Sequence, residues 1–290
     1  MKKLKTLLFS TVPLFLSVGI QLIVIYYMLL VASFFTFVKN PALTMDMNTS
    51  MNTIFDLMMN IHFQALMSIV FSICCIVLFG MWYYSRCGGD FKVNLKKEFH
   101  PLELAGIVCL IPGTQFLSNL LAAAISVLFP SWLETYEELI ESAGLTGDIP
   151  LLMILYSVIL APISEELIFR GVILRIGKRA FSFWVANILQ AFLFGAFHQN
   201  MLQGCYTFVL GLFLGYICEK GGTIYHAIFF HFLFNLWGTH AADLLGNINP
   251  MIYSVIVIIG SIVCTIGGIR LFKKGNREKQ RIFSQNHVFR

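Results

Sequence analysis

The run from Ile149 to Leu174 is apolar and long enough to cross a bilayer, yet it carries Glu165, Glu166 and Arg170. A backbone in hydrocarbon has no water to satisfy its N–H and C=O groups, so a lone segment of this length is committed to a helix. Charged groups at that depth are costly unless they are paired, and they mark a functional site more often than decoration.

The rest of the chain repeats the pattern. Candidate membrane helices cover 12–38, 61–84, 104–129, 149–174, 181–197, 201–218, 223–245 and 250–272. A chain of 290 residues that is 58% hydrophobic and 12% charged does not resemble a soluble domain. The expected fold is an all-α integral membrane bundle of about eight transmembrane helices. Three parts are expected: 1–148, with three spans and no motif; 149–245, a core of four spans; and 246–290, the last span with a basic cytoplasmic tail.

Charge sets the orientation. Lys2, Lys3 and Lys5, then Arg86, Lys92, Lys96 and Lys97, then Arg175, Lys178 and Arg179, then Lys220, then the run from Arg270 onward fall on one set of helix ends. The other set has only Lys39, against Asp46, Asp56, Glu134, Glu137, Glu138, Glu141, Asp148 and Asp243. By the positive-inside rule both termini are cytoplasmic, in a cell (plasma) membrane. The net charge of +5 is spread as topology signals are, with no basic, aromatic-interleaved face, so nucleic acid is not an expected partner. The expected partners are membrane lipid and a peptide or protein substrate at the membrane.

Several features read as structural. The apolar stretch after Lys5 runs to about Val38, beyond the ~7–15 residues of a cleavable signal core, and predicts a retained span. The seven cysteines form no CxxC pair and read as small apolar fillers. Gly211 and Gly215 allow close helix packing, and Pro112-Gly113 predicts a kink. Residues 101–103 open an interfacial helix, and 131–141 form a short helix on the outer surface. The basic tail after Phe272 is expected to be disordered or to lie on anionic lipid.

The polar groups define one constellation. Arg170 is four residues from Glu166 and so about 40° away around a helix, whereas Glu165 is about 140° away. Arg170 can therefore neutralise Glu166 and leave Glu165 to face something else. His198 on the fifth segment, and His231 with Asn235 on the seventh, come to comparable depth: ~21 Å for Glu165, ~27 Å for His198, and ~14 and ~20 Å for His231 and Asn235 above their cytoplasmic turns at ~1.5 Å per residue. Phe194 lies one turn from His198. A carboxylate, an imidazole and an imidazole–amide pair suit water-mediated acyl hydrolysis. His226 and His240, near span ends, read as structural.

These residues carry a resemblance. Glu165-Glu166-Leu-Ile-Phe-Arg170 resembles the EExxxR motif of the type II CAAX prenyl protease and bacteriocin-processing (CPBP, or Abi) intramembrane proteases, Phe194-Gly-Ala-Phe-His198 its FxxxH motif, and His231-Phe-Leu-Phe-Asn235 its HxxxN motif. The resemblance covers about 149–245. It implies an intramembrane endopeptidase that hydrolyses a peptide bond of a membrane-associated or lipidated substrate. Glu165 would activate the water, His198 would help hold it, His231 and Asn235 would form the oxyanion site, and Glu166, Arg170 and Phe194 would support them. A metal-free mechanism is favoured; were Zn²⁺ bound, Glu165, His198 and His231 would be its ligands. There is no HExxH sequence. The rival readings are a non-enzymatic bacteriocin-immunity or scaffold protein of the same family, and an ion-coupled carrier, which the lack of an inverted repeat disfavours.

Overall fold

The computed structural model describes residues 2–40, 47–88, 91, 98–142, 149–245 and 250–288. Asp46, Lys92, Lys96, Lys97, Asp148 and Arg290 of the charge pattern, and the side chains of His240 and Asp243, lie outside the described residues. The elements are all helical: α1 Lys2–Lys39, α2 Met47–Met59, α3 Ile61–Arg86, α4 Pro101–Leu128, α5 Pro130–Ser142, α6 Leu151–Gly177, α7 Phe183–Phe197, α8 Met201–Gly221, α9 Ile224–Leu245 and α10 Pro250–Val288.

By length and hydropathy among the described residues, five of them can cross a membrane: α1, α3, α4, α6 and α8. The expectation of about eight is thus met only in part. The 15 residues of α7 span only ~22 Å, short of a hydrocarbon core of about 30 Å. The apolar surface is turned outward as in a chain whose solvent is lipid: Phe15, Leu22, Tyr26 and Phe34 of α1 are all exposed. The protein is an integral membrane helical bundle. Helix α2 has no counterpart among the expected spans; it joins the first two.

Helix α4 begins at Pro101, where the missing N–H costs nothing. His100 caps it, with its imidazole accepting from Leu102 N while Glu103 accepts from His100 N at 3.0 Å. The helix runs on without a break through Pro112-Gly113. The glycine is also needed for contact: a Cβ there would come 1.7 Å from Thr265 Oγ1 of α10. Gly106 and Gly268 serve the same seam, since a Cβ on Gly106 would come 2.5 Å from Phe272 N. Small residues let the two backbones approach, as in membrane helix pairs generally.

That seam overturns the expected disordered tail. Helix α10 continues through the basic segment to Val288, and its far half is tied inward. Lys279 Nζ donates to Glu103 Oε1 at 2.9 Å and to the carbonyls of Glu98 and Gly221. Asn276 Nδ2 donates to Glu103 Oε1 at 3.2 Å and to Lys220 O. The second oxygen, Glu103 Oε2, lies 3.4 Å from His226 Nε2, and His226 Nδ1 meets Thr223 Oγ1 at 3.0 Å. Glu103 and His226 are fully buried. A fully buried carboxylate survives because each oxygen has two donors or near-donors. The acidic segment after α4 is helical, as expected, over Pro130–Ser142 and has no buried residue.

Candidate active site

Helix α6 positions the carboxylates, and it is not a plain α-helix. Pro162 has no N–H and its ring crowds the turn before it. The backbone answers with a wider turn over Leu155–Leu160, closed by an i→i−5 hydrogen bond from Ala161 N to Tyr156 O. A second wide turn, Leu167–Ile173, is closed from Leu174 N to Phe169 O. Such π-turns inside α-helices are frequent at functional sites. Glu165 and Glu166 lie on the short α segment between them.

The first wide turn has a further effect. Ser157 O cannot receive Ala161 N, which goes to Tyr156, and the next residue is a proline with no proton to give. Asn235 Nδ2 of α9 supplies the donor, 2.8 Å from Ser157 O. One amide N–H of Asn235 thus docks α9 on α6, and the other remains for use elsewhere.

The expected ion pair is present. Arg170 Nη1 donates to Glu166 Oε1 at 2.8 Å, and both side chains are fully buried. Arg170 Nη2 donates to Gly211 O at 3.2 Å, and its Cζ lies 4.5 Å from the Phe194 ring centroid. His231 sits between the two carboxylates. Its Nδ1 is 2.9 Å from Glu166 Oε1, and its Nε2 is 3.7 Å from Glu165 Oε2. The second distance is too long for a direct hydrogen bond. Glu165 differs from its neighbour in access: its side chain is 12% exposed, against none for Glu166.

Phe194 is the hub. Its ring packs edge-on against His198 at 4.9 Å and His231 at 5.8 Å. His198 caps α7, and its Nδ1 is 2.8 Å from Phe194 O, which leaves Nε2 directed away from that bond. The next residue, Gln199, has φ 55°, an uncommon conformation for a residue with a Cβ. It turns the chain directly after the imidazole. The structure therefore joins Glu165, Glu166, Arg170 and His231 by polar contacts and adds His198 through Phe194. Asn235 reaches α6 through a backbone carbonyl and touches none of the other polar side chains by a hydrogen bond.

Beneath lies a layer that the motif spacing does not show. Gln190 Nε2 donates to Asn187 Oδ1 at 2.8 Å and to Gly211 O at 2.9 Å, and Asn187 Nδ2 donates to Leu212 O. Both side chains are fully buried. Gly211 O thus receives both Arg170 and Gln190, and a Cβ at Gly215 would come 1.8 Å from Asn187 Oδ1. The close approach expected at Gly211 and Gly215 is present, and its partners are this amide pair. Asn187 and Gln190 stand in an apolar run, so the rule that singled out Glu165 would have found them.

A catalytic zinc needs three protein ligands around one point. Among the described residues no three His, Cys, Asp or Glu side chains converge in that way. His231 Nε2 comes within 3.7 Å of Glu165 Oε2, but no third such side chain joins these two. The donor set therefore does not fit a zinc centre.

No curated protein and no solved structure matches the chain. Residues 147–237 match the family model described as Type II CAAX prenyl endopeptidase Rce1-like. The matched segment contains all three motifs and every side chain of the cluster, so the likeness to that family of endopeptidases rests on the part of the chain that builds the site.

Proposed function

We propose that the protein is an intramembrane endopeptidase in which Glu165 activates the attacking water. The carrying observation is the asymmetry of the carboxylates: Glu166 is closed off by Arg170 and His231, and Glu165 alone has access. Glu165 takes a proton from water as its oxygen attacks the scissile carbonyl carbon. His198, with Nδ1 held by a carbonyl, presents Nε2 to orient that water. His231 and the second amide N–H of Asn235 form the oxyanion site, with the amide as its donor. Glu165 then passes its proton to the leaving amine as the C–N bond breaks. Glu166, Arg170 and Phe194 hold His231 and His198 in place.

The substrate would be a membrane-associated or lipidated peptide, of which a prenylated tail is the type the family description names. Residues 149–245 would form the catalytic core in a cell membrane, with both termini cytoplasmic.

The test is cleavage of a lipidated and amphipathic reporter-peptide library by the protein in nanodiscs. Glu165→Gln is expected to lower cleavage by about 10²–10⁴-fold, with helicity retained and no effect of chelator on wild type. Full cleavage by Glu165→Gln would sink the mechanism. Loss with chelator and rescue by Zn²⁺ would turn the same residues into metal ligands. Protection or partner binding without cleavage, unchanged in Glu165→Gln, would favour the immunity or scaffold reading.

A further inference from the structure

Two cavities meet at the end of α6 that bears Arg175, Lys178 and Arg179. The first, about 540 Å³, is lined by Arg170, Arg175, Lys178 and Arg179 against the single carboxylate of Glu219. The second, about 510 Å³, lies between α1 and α3 and is lined by Phe9, Leu78, Met81 and Trp82, with Arg86 and Arg179 at its end. Both volumes are of small-molecule size. Arg179 belongs to both.

The cations are graded and fixed. Lys178 and Arg179 are exposed, Arg175 is half-buried and Arg170 is fully buried, so positive charge leads inward. Lys178 is paired with Glu219 at 2.5 Å. Arg175 donates to Cys87 O at 2.8 Å and Gly88 O at 3.1 Å, and Arg179 donates to Arg86 O. Carbonyls at the end of α3 and just beyond it thus hold two guanidiniums in place with neutral acceptors, and each retains further N–H donors. Arg170 Nε, buried, has no hydrogen-bond partner among the described residues.

We propose that this is a binding site for one anionic phospholipid, its phosphate on Arg175, Lys178 and Arg179 and an acyl chain in the groove of Phe9, Leu78, Met81 and Trp82. Guanidinium forks suit phosphate oxygens. A zwitterionic choline headgroup would bring its own cation against these side chains. A soluble phosphate would leave the apolar groove without a role, whereas an amphipath fills both halves. The site does not depend on the peptidase reading.

The test is lipid retained by the full-length protein, read by native mass spectrometry after exchange between nanodiscs of phosphatidylcholine and phosphatidylglycerol. Wild type is expected to retain phosphatidylglycerol over phosphatidylcholine. Arg179→Gln should lower that retention about five-fold, the effect of one cation beside an anionic headgroup. Glu219→Gln, which removes the competing carboxylate, should raise it, and Leu78→Trp, which fills the groove, should lower it. Glu165→Gln should retain lipid as wild type does, so failure here and failure of the peptidase reading are separable. Equal retention of the two lipids, or retention untouched in both Glu219→Gln and Leu78→Trp, would overturn the site. Inorganic phosphate that displaces nothing supports the lipid; phosphate that gives the same thermal protection in phosphatidylcholine discs, with Leu78→Trp indifferent, would replace it with a soluble anion.

Discussion

Helix α9 carries two buried histidines five residues apart, and each faces a carboxylate and a cation. At His226 the carboxylate is Glu103 and the cation Lys279. At His231 they are Glu166 and Arg170. The side-chain types are nearly the same, but the two clusters are completed differently. Glu103 has Lys279 and Asn276 on one oxygen, and His100 N and His226 on the other. At Glu166, Oε1 takes both Arg170 and His231, while among the described residues Oε2 is buried with no partner and Arg170 Nε is likewise unmatched. A second carboxylate, Glu165, is added beside it with partial access. A finished polar network rigidifies a fold; an unfinished one beside an accessible base stores capacity for chemistry. That difference, more than residue type, separates scaffold from site.

The contrast can be broken by mutation. Arg170→Met would leave Glu166 buried beside His231 without its cation, and should cost about 3–5 kcal/mol of stability as well as cleavage. Thermal unfolding in detergent beside a cleavage assay measures both; a wild-type melting temperature would refute the pairing argument. Glu103→Gln should lower stability by about 1–3 kcal/mol, since a buried network loses its charge. Cleavage per folded molecule should stay within about two-fold of wild type, and a collapse of turnover at full stability would make the Glu103 cluster part of the chemistry. The smallest effect is expected at Gln199, whose left-handed backbone costs a residue with a Cβ roughly 1–2 kcal/mol. Gln199→Gly should recover part of that in the melting temperature, and a clear loss would mean that the Gln199–Gln21 contact outweighs the strain.

Much of the site is legible in residue spacing alone. The four-residue step from Glu166 to Arg170 predicts the ion pair found at 2.8 Å, and the angular argument leaves Glu165 as the carboxylate with access. Both rest on local helix geometry, which spacing encodes. The place of His231 between the two carboxylates is not legible in that way, because it depends on how α9 rolls against α6. Nor is the ordered tail: its anchors, Glu103 and Lys279, lie far apart along the chain, and hydropathy does not report a pairing between distant segments. The length of α7 is settled in a similar way. Composition marks α7 as apolar, but the fold decides where Ser182 and His198 end it, short of a bilayer's thickness.

The two wide turns of α6 make chain length itself part of the site. Each i→i−5 turn houses one residue more than an α turn would. Removing any one residue from Leu155–Leu160 would let the helix close into ordinary α geometry with every motif letter intact. Glu165 and Glu166 would keep nearly their facing, because an α turn with one residue fewer sweeps about the same arc. What would change is the set of carbonyls left open within the turn, and with it the anchor of Asn235 at Ser157. A variant of this kind would keep every motif letter and the facing of both carboxylates, and would isolate what one open carbonyl contributes.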